Sequence, residues 1–454
     1  MTTQNRLLEF EDKRYVWHPF TQMEDYEHEI PLIVKEGSGV HLWDIYGRRY
    51  IDGVSSLWVN VHGHRKKEID RAIIDQLKLI AHSTLLGLSN IPAITLAKRL
   101  VEITPEGLEK VFYSDSGSEG VEIALKIALQ YWRQIDDTSG KKTKFISFEN
   151  AYHGDTVGAV SVGKIPLFHG IYKPLLFDTI TTPSPYCYRC SYGNTKEECG
   201  GECLKRLEEI LKNESETVAG LIVEPLVQGA SGMLKAPKTF LSQIRALCSK
   251  YNVLMIADEV ATGFGRTGKM WACEHEDVSP DIMIIAKGLT GGYLPLAATL
   301  TTQEIYNAFC GEYGQKKTFY HGHTYTGNQL CCAAALANLD VFKNEHVVEK
   351  LFPKIKALRK GLMRFAKLRH VGDVRLCGFM VGIELVKDKK TKESFLMEEK
   401  MGHNVIMEAR KNRVILRPLG DVIVLMPPLS ITLSELKDLL DVTYNAINKV
   451  TKSS

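Results

Sequence analysis

Three features of the sequence predict an α/β fold, with a large, mainly parallel sheet covered by helices and a smaller α+β domain after it. From about residue 110 to 330, apolar runs of strand length alternate with stretches of helical periodicity, the pattern of a parallel sheet covered on both faces. Two of those runs, 253–257 and 282–286, contain no charge; they are long enough for strands buried on both faces and too short for helices. From about 335 the pattern turns to a Lys-rich helical segment and then to strands that alternate apolar and polar residues. The chain therefore divides into an N-terminal segment (1–65) that joins the smaller domain, a large domain (66–335) and the smaller C-terminal domain (336–454).

In chain order, the opening segment is rich in aromatics, and RYVWHPFTQM, with Pro19, reads as an extended arm. GSGVHLWDIYGRRYIDGVSS alternates around a Tyr-Gly turn and reads as a small hairpin. Residues 66–105 carry two helical patterns. Residues 111–113 read as a strand, 114–120 as a turn of small residues and 121–132 as a helix. Further strands are expected at 144–148, 220–224 and 295–301, with helices at 204–211 and near 239–251. TFYHGHTYTGNQ is a polar turn, containing Gly322, His323 and Thr324, ahead of an Ala/Leu/Cys helix. VGDVRLCGFMVGIELV and VILRPLGDVIVLMPPLSIT supply the strands of the smaller domain, and 433–450 is a closing helix.

Composition narrows the partners. The 454 residues are 44% hydrophobic and 24% charged, an ordinary globular balance. A net charge of +3, without a long basic run, argues against nucleic acid or an anionic membrane as the main partner. MTTQNRLLEFEDKR lacks the apolar segment of a secretory signal, and no uncharged run approaches the roughly 20 residues that span a bilayer. Ten cysteines in such a chain read as reduced thiols, and a cytoplasmic location is expected. Cys187, Cys190, Cys199 and Cys203 are spaced as two pairs that would close a tetrahedral zinc site, although such pairs usually flank a longer spacer. Free thiols or a redox-labile pair are the favoured reading, and no metal is assigned.

The chemistry gathers where the two uncharged runs end. The first stops at Asp258 and Glu259, the second at Lys287 and a glycine-rich turn. In open α/β sheets, ligands bind at that end of the strands. A desolvated lysine there suits Schiff-base chemistry, and a nearby carboxylate suits a pyridinium nitrogen. Upstream, Gly117 and Ser118 lie in the small-residue turn that opens a helix, where free N–H groups and the helix dipole favour a phosphate. Tyr152 follows a strand and is an aromatic suited to stack on such a ring.

DEVATGFGRTGK, followed by a strand and Lys287, resembles the class-III pyridoxal-phosphate aminotransferases, which act on terminal amines. WHPFTQM, DGVSSLWVNVHGH, SDSGSEGVEIALKIALQYW, NAYHGDT, HGHTYTGNQ and RPLGDVIVLMPP extend the resemblance from Val16 to about Pro428. They are similar to the branch that converts 8-amino-7-oxononanoate to 7,8-diaminononanoate in biotin synthesis, with S-adenosyl-L-methionine or L-lysine as donor. The resemblance implies the pyridoxal-phosphate transferase fold of the aspartate-aminotransferase type I, a homodimer with shared active sites, and pyridoxal 5'-phosphate on Lys287. It implies that Asp258 pairs with the ring nitrogen and Tyr152 packs on the ring. Gly117, Ser118, His323 and Thr324 attend the phosphate end, Thr324 from the partner subunit. The substrate pocket it implies takes Phe20, Leu57, Trp58, Gly322 and Arg417, with Tyr152 and Lys287, and the arginine grips a carboxylate. Phe20, Leu57 and His323 depart from adenosylmethionine-using members, which have Tyr, Trp and Pro there. The alternatives are another terminal-amine transaminase (diamine, 4-aminobutyrate or ornithine type) and, from a different class, a metal-binding regulator built on the cysteine cluster.

Overall fold

The computed structural model describes residues 3–135, 140–193 and 199–452. Its centre is a seven-stranded sheet made of β4 (Leu108–Ser114), β5 (Lys144–Phe148), β6 (Ile180–Thr182), β7 (Val218–Val223), β10 (Leu254–Asp258), β11 (Ile282–Ile285) and β12 (Ala297–Thr302). The intervening numbers belong to β8 (Val227–Gln228) and β9 (Leu234–Lys235), a small hairpin. The order across the large sheet is β4-β12-β11-β10-β7-β5-β6. β12 runs antiparallel to both of its neighbours, and every other pairing is parallel, so the sheet is mainly parallel as expected. All residues of β7, β10 and β11 are buried, which is why these strands read as unbroken apolar runs.

The N-terminal segment is more regular than its sequence suggests. A helix, Thr3–Tyr15, precedes the arm, so Arg14 and Tyr15 are helical and only the stretch after them is irregular. The expected hairpin is β2 (His41–Asp44) paired with β3 (Arg49–Asp52), with β1 (Val34–Ser38) added outside it. β15 (Val414–Ile415) pairs with β3 in parallel, which ties the N-terminal segment to the C-terminal part of the chain. The smaller sheet, in the order β13-β14-β17-β16, joins β13 (Val371–Cys377), β14 (Met380–Leu385), β16 (Arg417–Leu419) and β17 (Val422–Leu425), all antiparallel.

Two boundaries differ from the sequence reading. The turn placed at 114–120 is shorter, because the helix Gly117–Ile135 already starts inside it. Its first turn is closed by Glu119, whose Oε2 accepts from the N–H groups of Asp115 (2.8 Å) and Ser116 (3.1 Å). The 335/336 division falls inside the helix Gln329–Asn344, which runs unbroken and packs on the helices Lys67–Leu77 and Ile91–Ile103. The Lys-rich stretch 344–370 contributes the helix Leu351–Leu362 and a short 3-10 turn, Phe365–Lys367. One apolar cluster runs from Met283, Ile285 and Leu300 of the large sheet, through the fully buried Phe264 and Trp271, to Val381 and Ile423 of the small one. The two sheets thus share a close-packed core, which fixes the cleft between them.

Candidate active site

The parallel strands deliver their next residues to one edge of the sheet. Asp115–Ser118 follow β4, Tyr152 and His153 follow β5, Glu224 follows β7, Asp258 ends β10 and Lys287 follows β11. All of them line one cavity of about 690 Å³, together with Trp58, Thr156 and Val260. Lys287 is buried and has φ 43°, an uncommon left-handed backbone for a non-glycine residue at a site. Burial pulls its amine below the ordinary lysine value, with Asp258 and Glu224 acting the other way. A larger fraction of neutral, nucleophilic amine follows.

Asp258 is held from two sides. His153 Nδ1 lies 2.7 Å from its Oδ2, and its Oδ1 accepts from Val260 N–H at 3.1 Å. The His153 side chain is fully buried, and its Nε2 has no partner among the described residues. Behind this pair, Glu224 Oε1 accepts from Tyr152 N–H (3.1 Å) and Oε2 from Gly229 N–H (2.8 Å). Burial, with Asp258 adding to it against His153, pushes the Glu224 carboxyl up to about 7. Tyr152 donates its hydroxyl to Asp155 at 2.8 Å, and burial and that carboxylate both raise its phenol.

At the opposite end, Ser118 Oγ accepts from Thr156 N–H at 3.0 Å and sits 2.8 Å from Thr156 Oγ1. A Cβ on Gly117 would come within 2.7 Å of Val260, and one on Gly154 would overlap Ser118, so backbone alone fits here. This is an anion cradle: hydroxyls and bare backbone at the N-terminus of a 19-residue helix.

The side of the cavity is a left-handed turn. Ser55, Ser56, Leu57 and Trp58 have φ of 52°, 48°, 71° and 70°. At roughly 1–2 kcal/mol each, four such residues cost about 4–8 kcal/mol, so the surroundings must compensate. Trp58 N–H still donates to Val54 O at 2.8 Å and Val59 N–H to Ser55 O at 3.0 Å. The turn points Trp58 inward, its ring 5.4 Å from Lys287 Nζ, and leaves Leu57 48% exposed.

The structure therefore brings Lys287, Asp258, Tyr152, Gly117, Ser118 and Trp58 together. Phe20 lines an adjacent apolar cavity, its ring edge-on to Phe168 at 5.3 Å, and Leu57 faces outward. Gly322, His323 and Thr324 lie on a loop outside the cavity lining; His323 Nδ1 is 3.5 Å from Asp115 Oδ2, and Thr324 is exposed. Arg417, half-buried on β16, lies near Tyr152, and burial lowers its guanidinium. The four cysteines line a separate cavity of about 270 Å³. Residues 194–198 of that Cys-rich stretch lie outside the described residues. Among the described residues, no three His, Cys, Asp or Glu side chains group as metal ligands. The segment before the second cysteine pair is clamped to β14, with Arg189 Nε donating to Glu384 at 2.7 Å and Tyr186 donating to the same carboxylate. Sequence reasoning gave no role to His153 or Arg266. A histidine five residues past a strand end, beside Tyr152, was the available signal for the first.

Residues 22–447 match the family model for class-III aminotransferases. The chain belongs to the class-III aminotransferases. As a member it is a pyridoxal-phosphate enzyme, and the cavity fits that cofactor: the anion cradle at one end, the unpartnered His153 Nε2 and Asp258 in the middle, and a buried amine at the other end. This class-III aminotransferase is 57% identical over 448 residues to the adenosylmethionine-8-amino-7-oxononanoate aminotransferase of Aquifex aeolicus, covering 98% of each chain. The crystal structure of the enzyme of that name from Methanocaldococcus jannaschii superimposes with a TM-score of 0.93 at 50% identity, over 98% of this chain and 99% of that one. A thermostable (S)-enantioselective omega-transaminase from Thermomicrobium roseum gives the same TM-score at 36% identity, covering 99% of both. Among the described residues, no helix is long and apolar enough to cross a membrane.

Proposed function

We propose that the protein transfers an amino group to the ketone of 8-amino-7-oxononanoate, giving 7,8-diaminononanoate, with S-adenosyl-L-methionine as donor. The observation that carries this is the 57% identity, over nearly the whole of both chains, to an enzyme named for that reaction. Pyridoxal phosphate supplies, when bound, an electron-poor ring that stabilises negative charge at the carbon losing its proton. The rest is done by the chain. Lys287 holds the cofactor and, once displaced by the donor amine, its Nζ carries a proton between the two reacting carbons. Its lowered basicity suits that task. Asp258, oriented by His153, keeps a proton at the ring nitrogen. Ser118, Thr156 and the helix N-terminus bind the phosphate. Tyr152 packs on the ring, and Arg417 binds a substrate carboxylate.

The working unit is a homodimer in the cytoplasm, and the partner subunit's Thr324 reaches the phosphate; the exposed position of Thr324, outside its own cavity, supports this reading. L-lysine is the second reading for the donor. It is favoured by Phe20 and by the outward Leu57, which leave the entrance without a phenol hydroxyl or a second indole. The acceptor is tested by incubating the purified holoenzyme with donor and either 8-amino-7-oxononanoate, 2-oxoglutarate or succinic semialdehyde. Product should form with the first at a kcat/KM at least ~100-fold above the others; a preference for either other acceptor would overturn the proposal in favour of another terminal-amine transaminase.

A further inference from the structure

The left-handed turn at Ser55–Trp58 is the most strained stretch of backbone around the cavity, and its fastenings lie outside the cavity lining. Asp52, fully buried, accepts from Ser56 N–H at 3.0 Å and, more weakly, from Val54 N–H at 3.4 Å. Its second oxygen accepts from Ser56 Oγ–H at 2.8 Å and lies 3.1 Å from His64 Nε2. Ser55 Oγ–H donates to Met426 O at 2.7 Å. From the other side Arg266, also fully buried, donates to Pro427 O (2.8 Å), Asn60 O (2.9 Å) and Trp58 O (3.4 Å). Three distant parts of the chain thus meet on four residues: the N-terminal segment, the GFGRTG loop and the strand end at 426–427. What they hold in place is one ring. Trp58 is 6% exposed, its face lies beside Lys287, and its Nε1–H lines the cavity without a partner among the described residues. A buried donor left unpaired in a cavity is costly unless an acceptor on the bound molecule completes it.

We propose that Asp52 and Arg266 are positioning residues for substrate binding. They keep the Ser55–Trp58 turn left-handed, and the turn keeps the indole face against the reacting amine and its N–H directed at an oxygen of the bound substrate. Neither touches the reacting atoms. The inference rests on the proposed function only for the choice of substrate.

Two single variants and one rescue test it in the full-length holoenzyme. Asp52→Asn loses the charged anchor of the turn, and Ser56→Ala, the milder change, loses only the hydroxyl bond. Both should raise KM for 8-amino-7-oxononanoate, by about tenfold and threefold, with kcat changed less than about threefold, as expected for lost aromatic and hydrogen-bonding contact rather than lost chemistry. Glycine adopts the left-handed region without steric cost, so Asp52→Asn combined with Ser56→Gly should recover most of the lost KM. Acrylamide quenching of Trp58 emission, taken as the difference between each protein and its Trp58→Phe counterpart, should be low in wild type, higher in Asp52→Asn and low again in the double variant. Unchanged KM and quenching in a folded Asp52→Asn, or a double variant no better than the single, would overturn the proposal. Should Asp52→Asn fail to fold, unchanged KM in Ser56→Ala would do so. Wild type inactive on this acceptor would instead refute the proposed function, and the quenching series would still decide the role of the turn.

Discussion

Glu224→Gln is the perturbation whose size follows most directly from the geometry. The carboxyl is buried behind Asp258, and burial with that neighbouring charge raises it from its ordinary 4.5 to about 7. A rise of that size corresponds to about 3 kcal/mol. The folded protein favours the protonated acid, so this stabilisation is fully present below about pH 4.5 and is lost as the pH rises through about 7. Glutamine has the same shape but no charge to bury. Its cost is local: Tyr152 N–H and Gly229 N–H each need an acceptor, and the amide offers one oxygen and turns an NH2 toward the other. A buried N–H left unpaired costs about 1–3 kcal/mol, whereas the hydroxyl oxygen of a protonated acid still accepts. At about pH 5.5 the variant should therefore be less stable by about 1–3 kcal/mol, and by about pH 8.5 the gap should close or reverse, since only wild type then carries a buried charge. Apparent melting temperatures of the two holoenzymes across that range measure it. A deficit of equal size at both ends would refute the reasoning, because it would mean that Glu224 does not change charge in the interval.

Two further outcomes follow from the site. Asp258→Asn should retain cofactor, since the anion cradle and Lys287 are untouched, yet lower kcat by about a hundredfold or more, because an amide does not hold the ring nitrogen protonated; near-normal turnover would mean that another group serves that nitrogen. When S-adenosyl-L-methionine and L-lysine are supplied together at equal concentration, one isotopically labelled in its amino nitrogen, 7,8-diaminononanoate should take its nitrogen mainly from the former. The aromatic contact missing at Phe20 and Leu57 amounts to only about 0.5–2 kcal/mol, too little to exclude that donor; label arriving only from lysine would reverse the assignment.

The strands that carry the site were legible because burial on both faces removes every polar residue from them. The runs at 253–257 and 282–286 stop at the charged residues that enter the cavity, and the structure ends β10 at Asp258 and places Lys287 just past β11. The direction of a strand leaves no such trace, so nothing in the run 295–301 marked β12 as the strand that opposes its neighbours. The helix Thr3–Tyr15 buries no residue within the chain, so no apolar stripe announced it. The Ser55–Trp58 turn was hidden for a different reason. Left-handed backbone is ordinarily signalled by glycine or asparagine, and here it is imposed on Ser, Ser, Leu and Trp by Asp52 and Arg266, one of them more than 200 positions away. His153 belongs to the same class: its role depends on facing Asp258 across the sheet edge, which is a property of strand order rather than of local sequence.

The attachment of the cofactor to Lys287 is the centre of the account, and borohydride reduction followed by peptide mass spectrometry tests it most directly. Reduction makes the linkage between cofactor and lysine permanent, so the modified peptide names the residue. The account predicts a phosphopyridoxyl group on the peptide containing Lys287 and on no other lysine peptide, with both the label and the visible absorbance of the holoenzyme lost in Lys287→Ala. A label on a different lysine, or an unmodified Lys287 in protein that turns over its substrates, would contradict it.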